Sequence, residues 1–60
     1  MIDRKMGLRT EEQAKKLANE LNRMSGVWGA CTDGCTVIVT YYNESAQKKG
    51  TEKFWEIYDS

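Results

Sequence analysis

The sequence predicts an α+β fold in which an N-terminal helix packs on a three-stranded antiparallel β-meander, in the order α-β-β-β. Three observations predict it. A helical repeat of apolar residues ends near residue 25, two runs rich in β-branched and aromatic residues flank Asp33-Gly34, and a further aromatic run lies close to the end of the chain. The 60 residues make a single small domain, because a chain of this size removes only about 60% of its unfolded surface from water.

Residues 10–25 form the predicted helix. Thr10 is followed three residues later by Gln13, which is the spacing of a capping box at a helix N-terminus. The apolar residues behind this cap fall on one stripe of the helix: Ala14, Leu17, Ala18, Leu21 and Met24. Gly26 ends the helix because glycine readily adopts the left-handed conformation of a C-terminal cap. Residues 1–9 are interpreted as an N-terminal arm.

Residues 27–42 are predicted to form a β-hairpin, for which two registers compete. A two-residue Asp33-Gly34 turn groups Trp28, Ala30 and Thr32 with the valines of the second strand. A three-residue loop, residues 32–34, places Cys31 opposite Cys35 and groups them with Val27, Gly29, Val37, Val39 and Tyr41. We favour the second register, because its inner face holds no charge and no hydroxyl other than the Tyr41 phenol.

Residues 52–58 are predicted to form the third strand, after a polar loop at residues 43–50. Aromatic and β-branched residues dominate the segment. A short helix is the alternative, because Phe54 and Tyr58 lie four residues apart. We favour the strand, since an isolated two-stranded hairpin is only marginally stable in water.

Composition excludes most catalytic chemistry. Nine basic residues balance nine acidic residues, and the chain contains no histidine, so it lacks the usual general base and the commonest metal ligand. Cys31 and Cys35 supply half a zinc site at most, and we interpret them as free thiols on small, buried apolar residues. A chain this short is also not expected to form a pocket of about 300 Å³. We therefore expect no enzyme activity, no cofactor and no metal.

Aromatic residues carry the functional prediction. Strand alternation sends Trp28, Ile38 and Tyr42 to the sheet face opposite the helix, with Ala30 between them and Trp55 beside them on the third strand. We therefore predict that Trp28, Ile38, Tyr42 and Trp55 bind a partner. The alternative is that Ile2, Met6 and Leu8 of the arm fold across this face.

These residues indicate a cytoplasmic, non-enzymatic interaction module of the regulatory or inhibitory kind. We expect it to pair with a second copy as a homodimer and to dock on another, unidentified protein. No signal-peptide pattern or membrane-spanning run is present. In size and charge balance the chain resembles, in a general way, small regulatory proteins of phages and mobile elements.

Two alternative functions remain open from the sequence. Single-stranded nucleic acid is one, with bases stacked on sheet aromatics and phosphates bound by Lys48, Lys49 and Lys53. The zero net charge argues against it, because phosphate binding depends on a positive field. An oligomer that sequesters a small ligand at its interface is the other.

Overall fold

A computed structural model describes residues 1–60 and shows a small α+β fold with two helices and one open antiparallel sheet. In chain order the elements are β1 (Ile2–Gly7), α1 (Glu11–Arg23), β2 (Val27–Asp33), β3 (Thr36–Tyr41) and α2 (Glu44–Tyr58). The predicted class and the three-stranded antiparallel sheet are confirmed. The predicted order α-β-β-β is wrong, because the elements follow the order β-α-β-β-α.

Helix α1 begins and ends close to the predicted residues. The Thr10 side chain accepts a hydrogen bond from the Gln13 amide at 3.1 Å, and the Gln13 side chain accepts one from the Arg9 amide at 3.1 Å. The Thr10 contact satisfies an amide group that a helix N-terminus leaves without a partner, and the Gln13 contact holds the residue before the cap. The predicted apolar stripe faces the core: Ala14, Leu17, Ala18 and Leu21 are buried, and Met24 packs against them.

The third strand comes from the segment predicted as an arm. Strand β1 pairs antiparallel with β3, so the sheet order is β1-β3-β2. Strand alternation turns Ile2 and Met6 towards the core, where both pack against it. Residues 1–9 therefore contribute the edge of the sheet and do not fold across its outer face.

The segment predicted as the third strand, residues 52–58, lies instead in α2, and so does most of the predicted loop at 43–50. Asn43 caps this helix by accepting a hydrogen bond from the Ala46 amide at 2.9 Å. One face of α2 packs on the protein interior through a set of residues at helical spacing: Ala46, Gly50, Phe54, Ile57 and Tyr58.

The hairpin is confirmed, but neither predicted register is observed. Asp33 pairs with Thr36 across a two-residue Gly34-Cys35 turn, and Gly34 has a φ of +64°. A left-handed glycine at the first turn position is typical of a type II′ hairpin turn. A bulge at Trp28 then shifts the register, so that Val27 and not Trp28 pairs with Tyr41.

Both helices cover the same face of the sheet. The buried residues of β3 are Val37, Val39 and Tyr41, which alternate along the strand and therefore share that face. Helix α1 contacts β2 and β3, whereas α2 contacts β1 and β3 and packs beside α1. The opposite face of the sheet has no helix over it.

Candidate functional site

The sheet face without helices, called here the outer face, is mixed in chemistry. Cross-strand pairing places three residues of each strand on it: Asp3, Lys5 and Gly7 on β1, Thr36, Ile38 and Thr40 on β3, and Gly29, Cys31 and Asp33 on β2. Charges line the β1 side and the hairpin tip, and Ile38 with Cys31 forms the apolar centre. Ala30, which was predicted here, pairs with Val39 on the inner face. The apolar area is therefore smaller than the sequence predicted.

Two of the four predicted partner-binding residues, Ile38 and Tyr42, lie on or next to the outer face. Ile38 is half-buried at its centre, while Tyr42 directly follows β3 and is 54% exposed. Trp28 occupies the bulge of β2 and is 63% exposed. The bulge interrupts strand alternation, so alternation does not assign Trp28 to this face, although its side chain is exposed as predicted.

Trp55 does not lie on the outer face, because it lies on α2 on the helical side of the sheet. Its ring is 53% exposed and packs edge-on against Phe54, with ring centroids 5.0 Å apart. Tyr58 completes this aromatic cluster at 5.7 Å from Trp55, and the Arg9 guanidinium lies 4.5 Å from the Tyr58 ring centroid. The predicted location of Trp55 on a third strand was therefore wrong.

The free edge of β2 is covered by a side chain of α1. The Asn22 amide donates to the Ala30 carbonyl at 3.0 Å and accepts from the Ala30 N–H at 2.9 Å. One side chain thereby occupies both backbone groups that a neighbouring strand would bind. Together with the bulge at Trp28, this contact blocks strand pairing along β2.

The free edge of β1 has no such cover. Leu8 donates its N–H to the Cys35 carbonyl at 2.8 Å, in register with the β1–β3 ladder. Peptide groups alternate in direction along an antiparallel strand. The N–H and C=O groups of Asp3, Lys5 and Gly7 therefore point away from β3, towards the open edge. The only side-chain bond that any of these residues makes is from the Thr40 hydroxyl to the Asp3 carboxylate, at 2.7 Å.

A groove of about 480 Å³ runs between β1 and α2 beside this edge. The expectation that so short a chain lacks room for a concavity of this size was wrong. Arg4 and Gln47 lie in it with Trp55 on one wall. When the Gln47 amide oxygen faces Arg4, it accepts from the guanidinium Nε at 2.8 Å and from Nη2 at 3.0 Å.

Tyr41 borders the same groove and is fully buried. No protein group forms a hydrogen bond with its hydroxyl. Burial raises the pKa of Tyr41 above its ordinary value, and the nearby positive charge of Arg4 partly offsets this rise. Gly50 of α2 makes room for the phenol, because a Cβ at that position would lie 2.6 Å from two ring carbons of Tyr41.

The three lysines predicted for phosphate binding all lie on α2, among acidic residues. Lys53 is 3.6 Å from the Glu56 carboxylate, and Lys48 lines a surface concavity together with Glu44 and Glu52. Lys49 lines another with Glu52 and Glu56. This alternation of charge does not form the positive groove in which single-stranded nucleic acid is bound.

The cysteines do not face each other. Cys31 pairs with Ile38, whereas Cys35 lies in the turn, so the predicted cross-strand opposition is absent. Both are exposed free thiols, which corrects their interpretation as buried apolar residues. No three potential metal ligands of the histidine, cysteine or carboxylate type come together.

No family model matches this chain, and no curated protein or solved structure matches it either. Neither helix has the length and apolar character needed to cross a bilayer.

Sequence reasoning missed two features of these surfaces. Asn22 has no apolar or charged signature that separates it from Asn19 on the same helix, so its pairing with β2 is visible only in three dimensions. The open edge of β1 did have a signal, because Ile2, Met6 and Leu8 alternate as a strand requires. Arg4 occupies the remaining inward position and interrupts that pattern.

Proposed function

We propose that this chain is a cytosolic, non-enzymatic interaction module of the regulatory or inhibitory kind, which docks on another protein through its outer face and acts as a homodimer. One observation carries the proposal: both helices cover the same side of the sheet, so the face centred on Ile38 has no intramolecular cover. Tyr42, which follows β3, adds exposed aromatic area beside it, and Trp28 at the β2 bulge is a second exposed aromatic residue. Aromatic residues in such positions are the usual anchors of protein interfaces.

The mixed chemistry of the outer face supports a protein partner better than a nucleic acid. Asp3 and Asp33 place negative charge on its periphery, which repels phosphates. A half-buried apolar centre with a polar and charged rim is the arrangement found in protein–protein interfaces.

The experiment is affinity capture from the native host with variants of the exposed aromatic residues. Trp28→Ala and Tyr42→Ala truncate exposed side chains, so we expect them to leave the fold intact and to reduce recovery of a specific partner at least tenfold. Trp55→Ala is the matched control, because it removes an equally exposed aromatic side chain from the opposite side of the protein.

A partner retained by wild type and by Trp55→Ala but lost by the other two variants supports the proposal. Equal recovery by all variants, or no specific partner at all, contradicts it. Circular dichroism and thermal unfolding of each variant separate loss of docking from loss of structure.

A further inference from the structure

We propose that two copies of this chain pair through their β1 edges, antiparallel across a two-fold axis, to form one continuous six-stranded sheet. The inference deepens the homodimer part of the proposed function and rests on it, while naming the surface, the register and the residues involved. It does not use Trp28, Ile38 or Tyr42, the residues to which docking is assigned.

The contrast between the two sheet edges selects the surface. Asn22 and the bulge block pairing along β2, whereas nothing covers β1. An uncovered strand edge is a template for a further strand. The β1 edge, where we propose pairing, therefore has neither the side-chain contact nor the bulge that blocks pairing along β2.

The direction of the peptide groups restricts the register. Asp3, Lys5 and Gly7 carry the outward N–H and C=O groups, so a second β1 strand forms hydrogen bonds only when these positions oppose one another. Five two-fold registers satisfy this condition. Two of them oppose Gly7 to Lys5 or to Gly7 of the second copy and so form no charge pair at the outward positions. The other three place Asp3 opposite Asp3, Asp3 opposite Lys5, or Lys5 opposite Lys5 of the second copy.

Charge decides among the three registers. Each of the three places one like-charge pair on the axis, Asp3, Arg4 or Lys5, which destabilises a sheet, and the first and third gain no opposite-charge pair in return. The second forms two Asp3–Lys5 pairs related by the two-fold axis. On the inner face it also sets Ile2 of one copy against Met6 of the other, so apolar side chains meet apolar side chains.

In this register Arg4 lies on the two-fold axis, directly opposite Arg4 of the second copy. Its guanidinium is drawn back towards the Gln47 amide of α2, and the two positive charges still repel each other. This repulsion gives the register its own signature: Arg4→Met is expected to strengthen the dimer, by about threefold or more. The exposed Trp55 ring borders the same groove.

The test is a charge exchange between Asp3 and Lys5. Asp3→Lys gives β1 two lysines and Lys5→Asp gives it two aspartates, so each variant alone opposes like charges. We expect each to raise the dimer dissociation constant about tenfold or more in sedimentation equilibrium. Mixing the two variants restores both opposite-charge pairs, and a heterodimer of wild-type affinity is expected by native mass spectrometry.

A matched control is Lys15→Asp, which reverses an exposed charge on α1 away from the edge and should leave the dissociation constant unchanged. Lys5→Pro is a second variant that acts on the backbone. The Lys5 N–H points away from β3, so proline removes no hydrogen bond within the sheet but blocks pairing with a second strand. We expect a folded monomer.

Several results would overturn the proposal: a wild-type chain that stays monomeric at about 1 mM, single charge variants that dimerise like wild type, or a mixture that does not form the heterodimer. The docking proposal is judged separately. Folded monomers carrying Lys5→Pro retain the outer-face aromatics, so their capture of a partner reports on docking alone.

Discussion

Tyr41 combines tight packing with an unsatisfied polar group. It is fully buried on the central strand, and no protein group hydrogen-bonds its hydroxyl. Removing a buried hydroxyl without a partner removes a desolvation cost. Tyr41→Phe is therefore expected to raise the free energy of unfolding at pH 7 by about 1 kcal/mol, measured by urea denaturation.

The same residue gives the variant a pH signature. Because the pKa of Tyr41 is raised in the folded state, the unfolded chain loses this proton at lower pH than the folded chain does. The contribution of the Tyr41 proton to the free energy of unfolding is complete below the ordinary pKa of 10.0 and declines as the pH rises above that value. The difference in the free energy of unfolding between Tyr41→Phe and wild type should therefore grow above about pH 10. A constant difference would contradict the assignment, and Tyr42→Phe at an exposed site controls for general effects at pH 7.

Gly50 is required by the ring of Tyr41, even though it lies inside a helix. An added Cβ would lie 2.6 Å from ring carbons, so the ring or the helix must move. Glycine to alanine in a helix interior normally stabilises by about 1 kcal/mol. We expect Gly50→Ala to destabilise instead, by about 1–3 kcal/mol in thermal unfolding. Thr51→Ala, on the exposed side of the same turn, should be close to neutral, and a stabilised Gly50→Ala would show that α2 packs differently.

At the scale of elements, α1 was predictable because its cap and its apolar stripe agree. Helix α2 also has a cap residue and an apolar stripe, but both signals are weaker. Asn43 is a favoured N-cap residue, and Ala46, Gly50 and Phe54 lie four residues apart. Gly50 in the middle of α2 is unfavourable in a helix, and the aromatic and β-branched run in its second half is typical of strands. Local preference therefore pointed away from the helix that packing stabilises.

The β2–β3 hairpin could be located from the sequence, but its register could not. The Asp33-Gly34 pair correctly located the turn region, but the residues in the turn itself are Gly34 and Cys35. The register also depends on the bulge at Trp28, which lets Val27 reach the inner face. No single residue type marks a bulge in the sequence, so the faces of β2 could not be assigned from alternation alone.

Asn22 provides a test of the covered β2 edge. Asn22→Ala leaves the Ala30 N–H and C=O without their partner, and two hydrogen bonds are worth about 1–2 kcal/mol. We expect this loss of unfolding free energy, together with faster hydrogen exchange at the Ala30 amide. Asn19→Ala on the same helix is the control, since Asn19 is exposed and makes no side-chain hydrogen bond. Unchanged exchange at Ala30 would contradict the edge contact.

At the scale of the whole molecule, the first strand completes the structure. Strands β1 and β2 both run antiparallel to β3, which lies between them, so the sheet is assembled from segments distant along the chain. Without β1 only a hairpin remains beneath two helices, and Tyr41 loses the neighbour that covers its edge. The same strand supplies the edge through which we propose that two copies meet.

Removal of residues 1–8 is therefore expected to abolish cooperative unfolding. The deletion takes away the β1 ladder and the buried Leu8 side chain, and a domain of this size has only a few kcal/mol of stability to lose. Removal of residues 59–60 is the control, since both are exposed and only the C-terminal cap of α2 is lost with them. Near-ultraviolet circular dichroism and calorimetry measure the effect. A truncated chain that still unfolded cooperatively would contradict this prediction. It would show that the hairpin and the two helices fold without β1.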